Sequence, residues 1–137
     1  MTDTTKKLTA SLSDFLLANP VDSLKAYVTL PRFEKAGFKF KIRPVSGDEL
    51  VDYRQQATLP GSNDSDGQRA NELVVINCVI DPDLTSEDFA KSVGCTTSEE
   101  VLHRFFKAGE ISKLASYILE FSGFDASESA AIEEVKD

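Results

Sequence analysis

The run from Leu73 to Ile80, in which Asn77 is the only polar residue, constrains this chain more than any other feature. So much apolar surface is stable only when removed from water, and the rest of a 137-residue chain has to be wrapped around it. Its β-branched residues favour a strand. The run nevertheless continues from the polar residues 66–72 without a turn signal, and it is long for a strand. The pattern predicts a buried central helix that ends before Asp81, Pro82 and Asp83.

Cys78 inside that run raises the question of chemistry. A thiol nucleophile needs a base within hydrogen-bond reach, a lowered pKa and access for substrate. The single histidine, His103, stands two residues before Phe105 and Phe106 on an amphipathic stretch, where a structural role is the commoner one. Cys78 therefore reads as a small core hydrophobe, and Asn77 as a residue on the rim of the helix. The other cysteine, Cys95, has no C-x-x-C spacing and no histidine cluster beside it, which indicates neither a disulfide framework nor a zinc site.

Periodicity supplies the other elements. Leu8, Leu12, Phe15 and Leu16 recur at helical spacing, and Asn19-Pro20 ends that first amphipathic helix. The stretches KAYVTLPRF and GFKFKIRPV read as two strands of an antiparallel hairpin, because Phe38, Phe40 and Ile42 alternate with Lys39, Lys41 and Arg43. Ser46 and Glu49 have the form of a capping box, followed by Leu50, Tyr53 and Ala57 on one face. Residues 60–67, PGSNDSDG, read as an exposed loop. Ser86 caps a short helix that Gly94 stops, and Thr97 with Glu100 repeats the capping-box form. The last strong helix carries Ile111, Leu114, Ala115, Ile118 and Leu119 on one face, with Gly123 as its stop.

The expected fold class is α+β, mainly α-helical: a small helical domain with one N-terminal antiparallel β-hairpin. Residues 1–10 are expected to be flexible, residues 11–124 to form a single domain with a mobile loop near 58–68, and residues 125–137 to be an acidic frayed or disordered tail. No apolar run is long enough to span a bilayer, and the N-terminus lacks the apolar region of a secretory signal, so a soluble cytoplasmic protein is expected.

The net charge of −8 is unevenly spread. Residues 1–45 carry eight Lys/Arg and four Asp/Glu, a net +4, while residues 46–137 carry seven and nineteen, a net −12. The acidic bulk argues against nucleic-acid binding. Lys39, Lys41 and Arg43, with Lys25, Arg32 and Lys35 nearby, form either a polyanion-binding face or a solvated edge protected from aggregation. Asp22-Ser23-Leu24 imitates the serine that carries phosphopantetheine in acyl carrier proteins, but there the serine opens a helix, whereas here it leads toward a strand. The loop SNDSDG fails as a calcium loop, because position twelve would be Leu73. No phosphate loop, paired histidines or G-x-S-x-G is present, which leaves no catalytic, metal-binding or cofactor-binding candidates and points to a protein that works by binding.

Four segments, in this order and spacing, carry a resemblance: Phe15–Val21 (FLLANPV), Phe38–Leu50 (FKFKIRPVSGDEL), Arg69–Leu84 (RANELVVINCVIDPDL) and Phe105–Asp125 (FFKAGEISKLASYILEFSGFD). They resemble the XkdN-like tail assembly chaperones of tailed phages and prophages. The resemblance implies a non-enzymatic role in long-tail morphogenesis in the host cytoplasm, by a protein absent from the finished virion. It implies the tape measure protein as client, kept covered until tail tube protein polymerises around it, and it allows a frameshift-extended form and a homo-oligomer as further partners. A structural or adaptor component of the tail is the alternative, and a carrier protein using Ser23 a remote one. The family defines no client-binding motif. The candidates drawn from the late helices are Leu102, Phe105, Phe106, Ile111, Leu114, Ile118 and Phe121, set against the expectation that an apolar stripe at helical spacing is mostly core.

Overall fold

The computed structural model describes residues 11–58 and 66–124, and the backbone of residues 132–134. The expected loop near 58–68 and the flexible N-terminus fall largely or wholly outside those residues. Residues 11–18 are helical (α1) and lead through a 3-10 turn, Val21–Ser23, into β1 (Ala26–Val28). There follow α2 (Pro31–Glu34), β2 (Phe40–Ile42), α3 (Gly47–Gln56), α4 (Gly67–Cys78) and β3 (Val79–Asp81). The chain then runs through α5 (Glu87–Ser92), α6 (Ser98–Phe105), α7 (Ala108–Phe121) and β4 (Ile132–Glu134). The fold is α+β and mainly helical, as expected. No helix among the described residues is long and apolar enough to cross a membrane.

The four strands form one antiparallel sheet in the order β3-β2-β1-β4, with Ala26 opposite Ile42 and Tyr27 opposite Lys41. Ala26, Val28, Phe40, Ile42 and Val79 are buried on the face toward the helices. Helix α4 runs through the centre, with Leu73, Val74, Val75, Ile76 and Cys78 all buried, and packs most extensively on α7. That central position is the one its apolar run requires.

Four expectations are corrected. The central helix stops at Cys78, and Val79 turns to extended backbone and pairs with β2, where Arg43 N–H donates to the Cys78 carbonyl at 2.9 Å. The open edge of β2 offers those β-branched residues a ladder, which suits them better than another helical turn. The two expected strands do pair, but α2 occupies their connection: Pro31 stands at its first turn, and Gly37 at φ +84° supplies the left-handed exit. Phe33 is therefore helical, and Phe38 lies outside the strand and 63% exposed. The Thr97 hydroxyl does accept from Glu100 N–H, but the Glu100 carboxylate accepts from Thr96 instead of closing the box on Thr97. Residues 132–134, expected to be frayed or disordered, run as β4 along β1.

The Ser46–Glu49 box is complete and does more than cap α3. Arg43 donates to both Glu49 oxygens, at 3.0 and 2.8 Å, and Tyr53 donates to one of them at 2.9 Å, which ties α3 to β2. These donors, Arg43 first, hold the Glu49 carboxyl down at about 2, although burial opposes them. Arg32 holds Glu110 below its ordinary range in the same way. A depressed carboxylate contributes stability that is present above its unfolded-state pKa and lost as pH falls through the folded value. Between pH 4.5 and about 2 the urea midpoint should therefore fall, and the Glu49→Gln variant should show a flatter pH dependence across that window.

Candidate functional site

The phenylalanines of this chain are gathered in one place. Six of the nine line a single open groove of about 540 Å³ between the start of the sheet and helices α5 and α6. Phe33, Phe40 and Phe106 make its floor: Phe33 meets Phe40 edge-on at 4.9 Å between centroids and stacks on Phe106 at 5.3 Å. Phe38 and Phe105 form the lips and are 63% and 41% exposed. Phe89 and Val93 close the far wall, and Lys39 and Asp81 are the charged residues of the lining.

An ion pair stands beside this groove. Arg32 donates from Nε and Nη2 to the two oxygens of Glu110, at 3.0 and 2.7 Å, and from Nη2 to the Phe105 carbonyl at 2.8 Å. Glu110 is nearly buried and also accepts from Lys107 N–H at 2.8 Å, so its charge is compensated on two sides. The Arg32 guanidinium stacks on the Phe33 ring at 4.5 Å, and Arg104 lies 5.4 Å from the Phe105 ring centre. The clamp joins α2 to the end of α6 and the start of α7, and so holds Phe33 beside Phe105 and Phe106. Such a surface offers aromatic area that a bound apolar segment would remove from water.

Of the residues singled out from the sequence, Leu102, Ile111, Leu114 and Ile118 are fully buried and unavailable as a partner surface. Their stripe faces inward because α6 and α7 pack on α4. Phe121 is half-buried against the core away from the groove. Phe105 and Phe106 belong to the groove. Phe33, Phe38, Phe40 and Phe89 were missed because they come from distant parts of the chain and share no single periodicity with Phe105 and Phe106; the only signal was the richness in phenylalanine.

The two chemical candidates are placed as plain structure. Cys78 is completely buried, and burial pushes its thiol up to about 12, the opposite of an activated nucleophile. His103 is paired with the buried Glu72 carboxylate instead. Cys78→Ala is expected to cost about 1 kcal/mol of stability, read from a denaturant midpoint, with no loss of any specific reaction. Ser23 donates to the Pro20 carbonyl at 2.8 Å inside its 3-10 turn. The basic strand face is partly spent internally, since Arg32 and Arg43 hold Glu110 and Glu49 and Lys41 lies 5.8 Å from the Tyr27 ring centre. Among the described residues, no cluster of three His, Cys, Asp or Glu side chains is placed to hold a metal ion.

No curated protein and no solved structure matches the chain. Residues 12–136 match the family described as Phage XkdN-like tail assembly chaperone protein, and the match takes in every element that builds the phenylalanine groove. The chain belongs to the XkdN-like phage tail assembly chaperones.

Proposed function

We propose that this chain binds the tape measure protein in the host cytoplasm, keeps it soluble while a long tail is assembled, and is not retained in the virion. The observation that carries the reading is the open groove lined by six phenylalanines in a member of a tail assembly chaperone family. An amphipathic helix laid into an apolar groove is a recurrent mode of recognition, and a client built of long apolar helices would be covered in this way one segment at a time. The −12 charge of residues 46–137 keeps such a complex from aggregating. The role is one of assembly and needs no catalytic group.

Co-expression with the tape measure protein tests this. A soluble tape measure protein that co-purifies with the chain is the expected result. If it stays insoluble with this chain but becomes soluble with a frameshift-extended form, client binding lies in the extension. If it stays insoluble with both, the reading fails. Finding the chain stoichiometrically in purified particles would make it a structural tail component instead.

A further inference from the structure

Residues 24–33 and 36–45 carry Lys25, Arg32, Lys39, Lys41 and Arg43 and no acidic residue, and they supply β1 and β2, the two middle strands of the sheet. Arg32 and Arg43 are spent on Glu110 and Glu49. Lys25 is exposed at the start of β1, and the Lys41 ammonium reaches across from β2 to lie 5.8 Å from the centre of the Tyr27 ring, on the sheet face away from the helices. Tyr27 is itself 37% exposed. Positive charge is thus gathered around β1.

The strand that lies along β1 is acidic. β4 is Ile132, Glu133 and Glu134, and its register sets Glu133 opposite Tyr27 and Glu134 opposite Ala26. It stands at the end of the sheet, and among the described residues β1 is the only element it packs on to any extent. A three-residue ladder of this kind has little hold of its own. Attachment to the same chain compensates, because it raises the local concentration of the strand to the order of millimolar. Without β4, the N–H and C=O groups along the edge of β1 would be open to any passing strand.

We infer that this edge of β1 is a docking site for an extended acidic segment of another protein, that β4 is its resident stand-in, and that binding exchanges the one for the other. Strand addition supplies main-chain hydrogen bonds whatever the sequence, and the lysines select carboxylates. A nucleic acid would answer the charge but not the open backbone. A partner strand that pairs beyond the three residues matched by β4 gains further hydrogen bonds, which offsets the advantage of the tether. Among the described residues none of β1 or β4 lines the phenylalanine groove, so this site is separate from the one assigned to the client.

Fluorescence anisotropy of the labelled hexapeptide Val-Glu-Val-Glu-Val-Glu, titrated with the full chain, tests the inference. The variant Ile132→Pro with Glu133→Pro should open the edge: consecutive amides of a strand point to opposite sides, so one of the two prolines removes a donor facing β1. The unaltered chain should bind the peptide weakly and the variant about tenfold more tightly or better, since the tethered competitor is gone. The matching Val-Lys peptide should bind neither, and Lys25→Glu with Lys41→Glu on the variant background should abolish the gain. Equal affinity of the variant and the unaltered chain, equal binding of the lysine peptide, or a gain that survives the two lysine substitutions would each overturn the inference. If circular dichroism shows that the proline variant does not fold, Glu133→Gly with Glu134→Gly, which keeps every amide, takes its place; the same gain is expected there, and its absence is equally decisive. Each of these outcomes leaves the client reading where it stands.

Discussion

Leu114→Ala should lower the unfolding free energy by about 3 kcal/mol, the cost of a buried leucine replaced by a cavity in a site that relaxes only partly. Leu114 is completely buried on α7, at the contact with α4 that forms the largest helix pair of the core. With a urea dependence of about 1.5 kcal/mol per molar, the midpoint should fall by about 2 M. The protein that remains folded in water should still present the groove, because the groove's rings come from α2, β2, α5 and α6 and the segments beside them. Equilibrium urea unfolding with co-purification of the client on the same preparation separates the two effects. An unchanged midpoint with lost client binding would return Leu114 to the surface, where the sequence alone had made it a candidate.

The double variant Phe38→Asp with Phe105→Asp should do the opposite. Both rings are exposed lips, so the substitutions should move stability by no more than about 0.5 kcal/mol each. On the proposed reading the lips are the first aromatic anchors a client helix meets. Truncating such an anchor costs about 2 kcal/mol or more, roughly thirty-fold in affinity, and a carboxylate placed there adds the cost of burying a charge. Soluble tape measure protein in co-expression should therefore fall to the level seen without this chain, while the urea midpoint stays in place. Full retention of the client by the double variant would move the binding surface elsewhere. Because Phe105 also lies beside Arg104, its single variant should be measured too, to separate loss of the ring from any shift of that guanidinium.

These two variants fall on either side of the line between what pattern can reveal and what packing decides. The burial of Leu73–Ile76, the capped starts at Ser46 and Ser86, and the glycine stops at Gly94 and Gly123, with φ of +77° and +88°, all follow from residue type and spacing within one element. Local sterics and local hydrogen bonds act within a few residues, so a local pattern is enough to predict them. The inward stripe of α7 is equally local as a stripe. Whether it faces a core or a partner is not, and only the seat of α4 against it settled that Leu114 and Ile118 are interior.

The end of the central helix shows the same division. Nothing within Leu73–Ile80 says where the helix must stop; the open edge of β2, thirty-odd residues earlier, draws Val79–Asp81 into the sheet. The groove is the extreme case. Its rings come from α2, the segment running into β2, α5 and the end of α6, and the Arg32–Glu110 pair beside it spans 78 positions. By itself the sequence determined the family, the fold class, the central element and the place of Cys78 in the core, because these rest on ordered segments, periodicity and neighbouring residues. Only the tertiary structure decided which apolar side chains remain in water and which of them meet, because exposure depends on whatever element, however distant along the chain, comes to lie against each one.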